Sequence, residues 1–123
     1  MIGDYLCKSA FAEGDLSSSV SMTSARSRLM MVSLQPSNLS TSAGFAMKMK
    51  TLKFTNGASG STLYEVLLMC GAQADESRYQ WSIDIPMGED GILFDTGISV
   101  IEGSTTGDSG SPCCVDALTI FYV

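Results

Sequence analysis

Histidine is absent from all 123 residues, and that absence bears directly on the chain's most suggestive motif. Residues 107–112 read Gly-Asp-Ser-Gly-Ser-Pro, a Gly/Asp loop of the kind that presents a hydrolytic serine. A serine hydroxyl is a poor nucleophile until a neighbouring base takes its proton, and imidazole is the usual base. Lysine can replace it, but the lysines here are Lys8, Lys48, Lys50 and Lys53, and the last three read as outward positions of a strand. A two-barrel protease body would also need a far longer chain. Ser109 is therefore expected to be an ordinary loop serine, and the chain is not expected to be an enzyme.

Positive charge is scarce as well. Seven Lys and Arg stand against thirteen Asp and Glu, for a net charge of −6. Nucleic-acid binding needs a dense basic footprint. The only close basic pair outside Lys48–Lys53 is Arg26 with Arg28, and neither stretch has the density required. Only 16% of residues are charged while 45% are hydrophobic, so Ser, Thr, Gly and Asn must cover much of the surface. No apolar run approaches the length of a membrane span; the longest lies around Val66–Cys70. The first residues, with acidic Asp4 and no cationic start before a long apolar stretch, do not read as a secretory signal. Cys7, Cys70, Cys113 and Cys114 lack the paired spacing of zinc knuckles. They are expected to be small buried hydrophobes of a protein made in a reducing compartment.

What is present is a series of short extended segments divided by turn chemistry. Residues 1–27, in which Leu16–Ser24 is serine-rich and poor in large apolar side chains, read as an extended N-terminal arm. Residues 28–123 read as one domain. Leu29–Leu34 is a strand ended by the Gln35-Pro36-Ser37-Asn38 stretch. Phe45, Met47 and Met49 alternate with polar residues, and then Leu52 and Phe54 take over in the other phase. That change predicts a β-bulge near Lys50-Thr51 before the turn at residues 56–60. Thr62–Cys70 is apolar on both faces apart from Glu65, the pattern of a central strand covered on two sides. Tyr79, Trp81, Ile83 and Ile85 alternate strictly until Pro86. Residues 91–94 and 98–101 read as paired strands joined by the turn Asp95-Thr96-Gly97, followed by a polar loop at 103–112. Leu118, Ile120 and Tyr122 mark a last strand. Seven short strands with no long amphipathic helix and no internal repeat predict an all-β chain: an antiparallel β-sandwich, jelly-roll-like, with an extended N-terminal arm.

Few constellations in this series point to chemistry. Glu89, Asp90 and Asp95 crowd one region and could hold calcium, but they lack the alternating oxygen ligands of an EF-hand, and a solvated turn is the expected role. Asp75-Glu76 is a further exposed turn. Tyr79 and Trp81 could stack on a sugar, yet their phase with Ile83 and Ile85 assigns them to the core. Met30, Met31, Met47, Met49 and Met69 are expected to be flexible core filler. No catalytic, metal or cofactor-binding residues are assigned.

The series Lys50–Gly57, Leu63–Leu68, Ile83-Asp84-Ile85-Pro86, Gly91–Val100 and Leu118–Tyr122 resembles small β-sandwich virion proteins of tailed bacteriophages. In those proteins a Gly-apolar-x-Phe-x-x-Gly-apolar-x-Val hairpin precedes the last strand. The resemblance covers about residues 45–123, and the 103–112 loop is longer than its pattern. It implies a non-enzymatic structural role: a capsid decoration or cement protein, with a tail or neck accessory protein or a receptor- or glycan-binding module as alternatives. It also implies a virion location after assembly in a host cytoplasm, other virion proteins such as the major capsid protein as partners, and a homo-oligomer, trimers included. No cofactor, nucleic acid or membrane is implied.

Overall fold

The structure, a computed structural model, describes residues 7–13, 16, 18–36, 48–70, 82–104 and 115–123. Within them are nine strands and no helix: β1 (Lys8–Glu13), β2 (Val20–Thr23), β3 (Ser27–Pro36), β4 (Lys48–Asn56), β5 (Thr62–Cys70), β6 (Ile83–Pro86), β7 (Ile92–Phe94), β8 (Ile98–Ser104) and β9 (Val115–Tyr122). They form two antiparallel sheets. The first has the order β1-β9-β3-β6, with β7 also on β3, and the second has the order β2-β8-β4-β5.

Pairing is nested. β1 pairs with β9, β2 with β8, β3 with β6 and β4 with β5, and successive pairs fall in alternate sheets. This is one long antiparallel ribbon rolled over itself, the topology of an eight-stranded jelly roll. The ninth strand is no exception to it. β6 lies along Met31–Leu34 of β3 and β7 along Ser27–Leu29, so the two are one edge strand interrupted by residues 87–91. The Met87 N–H continues the ladder by donating to the Met30 carbonyl at 2.9 Å.

Alternation fixes which residues face inward. Leu29, Val32, Leu34, Leu118 and Ile120 of the first sheet meet Leu52, Phe54, Ile98 and Val100 of the second, and all are buried with Phe94 in a single cluster. Burying side chains of this size contributes roughly 1.5–3 kcal/mol each, which supplies most of the force holding the layers together. Ile83, Ile85 and Tyr122 pack against the same cluster, as their alternation predicts.

Several expectations are corrected. The segment 1–27 assigned to an arm supplies β1 and β2, one in each sheet. Leu16 between them is 1% exposed, and its carbonyl accepts the Glu102 N–H at 2.9 Å. One buried leucine and two ladders of main-chain hydrogen bonds thus order a stretch too poor in apolar residues to form its own layer. β5 is an edge strand rather than a central one. The register of β4 on β5 runs unbroken through Lys50 and Thr51, and shifts instead between Phe54 and Thr55, where the chain prepares to turn. β7 and β8 do not pair, because β7 joins β3 in the first sheet while β8 joins β4 and β2 in the second. Residues 95–97 are thus a corner between layers, not a hairpin turn. Met30 and Met31 are only partly buried and lie outside the core, which is packed instead by Met22 and Met87. Cys7 is an exposed free thiol rather than a buried one.

That corner is tied to the turn after β4. The Thr96 N–H donates to Asn56 Oδ1 at 2.8 Å, and the Gly57 N–H donates to the Gly97 carbonyl at 2.9 Å. Asn56→Ala removes the acceptor for Thr96 and will lower stability by about 1 kcal/mol. Urea denaturation followed by circular dichroism checks this, and an unchanged midpoint would show that solvent replaces the bond at no cost.

Candidate interaction surfaces

The inward residues being committed to the core, chemistry and contacts must come from the outward positions and the rims. On the first sheet, Phe11 of β1 lies opposite Thr119 of β9, while Phe121 lies opposite Ser9 on one side and Met31 on the other. Phe11 is 59% exposed, the most exposed large hydrophobic residue described. Pro86 continues the row beyond Met31, and Ser33 Oγ donates to Asp84 Oδ1 at 2.6 Å in the next row. The outer face of the first sheet is thus an apolar row, Phe121-Met31-Pro86, flanked by Phe11 and hydroxyl groups.

The outer face of the second sheet has a different character. Leu63 and Leu67 of β5 are exposed, with Glu65 between them. Lys53 of β4 sits opposite Glu65 on one side and Ile101 of β8 on the other, an outward placement that agrees with expectation for this lysine. Among the described side chains, this face thus pairs one positive with one negative charge, Lys53 with Glu65.

At one rim, Arg28, Met30, Glu89, Asp90 and Val123 line an open cavity of about 490 Å³. A smaller one of about 250 Å³ adjoins it along Arg26, Ser27, Arg28, Leu93 and Val123. Arg28 is held in place by its backbone ladder with Val123 and by Nη1 donating to the Asp90 carbonyl at 3.1 Å. Arg26 meets Asp95 at 3.4 Å with both side chains about seven-tenths exposed, a pair that contributes little to stability in water. The Ser27 hydroxyl donates to the Ala25 carbonyl at 2.8 Å, so its proton is already engaged. With the Ser27 proton and both arginines engaged by acceptors, the described lining is a depression of mixed charge.

The three carboxylates singled out in the sequence do not converge: Glu89 and Asp90 share the lining of the larger rim cavity, without Asp95. Asp95 faces Arg26, and among the described residues no three Cys, Asp or Glu side chains come together. Ser109, Cys113, Cys114, Asp75, Glu76, Tyr79, Trp81 and Met47 lie outside the described residues, as do the side chains of Met49, Met69 and Cys70. Among the described residues no helix is long and apolar enough to cross a membrane. Compared with known proteins, the chain matches no family model, no curated protein and no solved structure.

Glu102 is the residue that sequence reasoning missed: it is buried at 9% exposure on β8. The signal was available, since it shares the phase of Ile98 and Val100, both fully buried.

Proposed function

We propose that the chain is a non-enzymatic structural protein of a virus particle, a capsid decoration or cement protein of a tailed bacteriophage that docks on the capsid lattice and stabilises it. The observation that carries this reading is the strand order, β1-β9-β3-β6 over β2-β8-β4-β5. Viral capsid domains use this architecture, as do lectins and cupins. Fold alone does not fix function, so the surfaces must narrow the choice. An apolar first-sheet face and a low density of charge both favour binding to other proteins. This reading assigns the Phe11, Phe121 and Met31 face to the lattice contact, where many equivalent weak contacts add through multivalency.

Particles assembled without the chain will disassemble at a temperature several degrees lower than complete ones, and adding back the purified chain will restore the difference. Phe11→Ser, which alters only an exposed position, will reduce retention on the particle while leaving the isolated chain's unfolding midpoint unchanged. Equal disassembly temperatures with and without the chain would refute a cementing role. The competing reading, a glycan-binding tail module, is favoured by exposed Phe11, because aromatic faces stack on sugars. Binding of the isolated chain to a glycan array, abolished by the same Phe11→Ser, would replace the proposal with it.

A further inference from the structure

An edge strand presents a row of unpaired N–H and C=O groups, and proteins that remain monomeric blunt such edges with shortness, Lys, Pro, bulges or a covering element. Three of the four sheet edges here are blunted. β1 and β2 have six and four residues and lie against each other, with Lys8 opening β1. The β6–β7 edge is two pieces of four and three residues, interrupted by residues 87–91 and carrying Pro86. β5 is blunted least: its one irregularity is the register shift against β4 near its start, where Leu63 is the extra residue. It runs nine residues, contains no Lys, Arg or Pro, and no described residue pairs with its outer side. Its outward side chains include exposed Leu63 and Leu67, and its single charge, Glu65, lies across from Lys53 in its own sheet.

We propose that β5 is a self-pairing edge, through which two copies of the chain join their second sheets antiparallel about a twofold axis at Val66. The joined four-stranded sheets then form one continuous sheet across the dimer. A second copy fits this edge because the strand is complementary to itself. With Val66 on the axis the two strands overlap along their whole length, and Tyr64–Leu68, clear of the register shift at Leu63, exchange hydrogen bonds in symmetric pairs. That register sets Glu65 opposite Leu67 of the partner subunit. Sliding by one residue on each chain sets Glu65 opposite its own copy, where like charges repel. Charge thus selects the register of greatest overlap. Leu63 of each copy then lies diagonal to Leu67 of the partner subunit along the shared outer face, which covers part of the exposed leucine surface. The inference stands independently of the virion reading, since it concerns only how two copies meet.

Sedimentation and light scattering of the purified chain across a dilution series test it. The wild type will run at twice the 13.0 kDa of one chain. Leu67→Glu faces Glu65 across the axis twice per dimer and removes two leucine contacts, so it will raise the dissociation constant at least about a hundredfold. The double variant Glu65→Lys with Leu67→Glu places opposite charges across the axis, and will return the constant to within about tenfold of wild type. Circular dichroism reports that each variant is folded. Hydrogen exchange of the β5 amides will be slow in the wild type and fast in Leu67→Glu. A wild type that is monomeric at millimolar concentration, a trimer, a dimer indifferent to Leu67→Glu, or a folded double variant that stays monomeric would each overturn the proposal.

Discussion

Phe54→Ala will lower the free energy of unfolding by about 3–5 kcal/mol, the loss typical of truncating a fully buried phenylalanine. Phe54 is 0% exposed at an inward position of β4, which is flanked on both sides by β5 and β8. Its ring tilts against Tyr64 with centroids 5.8 Å apart, so the substitution removes a ring contact as well as apolar burial. The neighbours that would have to close the cavity, Leu52, Ile98 and Val100, sit in paired strands and are themselves fully buried, which limits collapse. Against a typical total of about 5–15 kcal/mol, a loss of this size leaves a marginal domain. Urea denaturation followed by circular dichroism at low protein concentration measures it without a contribution from association. Phe11→Ala is the control: at 59% exposure it will move the same midpoint by less than about 0.5 kcal/mol. A loss below about 1 kcal/mol for Phe54→Ala would mean that the two sheets do not meet at this ring.

The class of fold was legible because it rests on period and punctuation, which are local properties. Ile83-Asp84-Ile85-Pro86 and Leu118–Tyr122 announce their inward faces by alternation alone, and both became strands with the expected side against the core. What was not legible depends on partners distant in sequence. The apolar character of Thr62–Cys70 suits a strand covered on both faces, and nothing in that stretch tells whether the second cover belongs to its own chain. The same leucines, Leu63 and Leu67, therefore read as interior in the sequence and stand exposed in the fold. Residues 91–101 look like a hairpin because two short apolar runs flank a Gly-containing turn, yet the strands they would pair with, β3, β4 and β2, lie far away in the chain. The order of β1 and β2 is likewise set by β9 and β8 more than a hundred and about eighty residues on in sequence, which no local composition reveals. The interaction surfaces were hidden for the same reason. Phe11, Phe121 and Met31 are scattered in the chain and become neighbours only through register.

Gly97→Ala will destabilise the protein by about 2–5 kcal/mol, because two separate penalties fall on one methyl group. Gly97 sits at the corner where the chain leaves β7 in the first sheet for β8 in the second, and it is buried there. Its φ of 139° lies in a region that side-chain-bearing residues rarely adopt, which alone costs about 1–3 kcal/mol. A Cβ would also collide with the Thr23 carbonyl oxygen and stand 3.1 Å from Ser24 Cα. Both are backbone atoms at the end of β2, so relief requires moving a strand rather than turning a side chain. That movement is resisted from the other side, where the Gly97 carbonyl accepts the Gly57 N–H at 2.9 Å. Gly88→Ala separates the two penalties. Gly88 has a φ of 86°, but nothing lies within 4 Å of where its methyl group would stand, so it will bear only the conformational cost, about 1–2 kcal/mol. Urea denaturation of the two variants side by side gives the difference directly. Equal losses would show that the close approach of β2 is not what demands glycine at this corner, and a larger loss at 97 confirms that the corner fixes how the N-terminal strands join the second sheet.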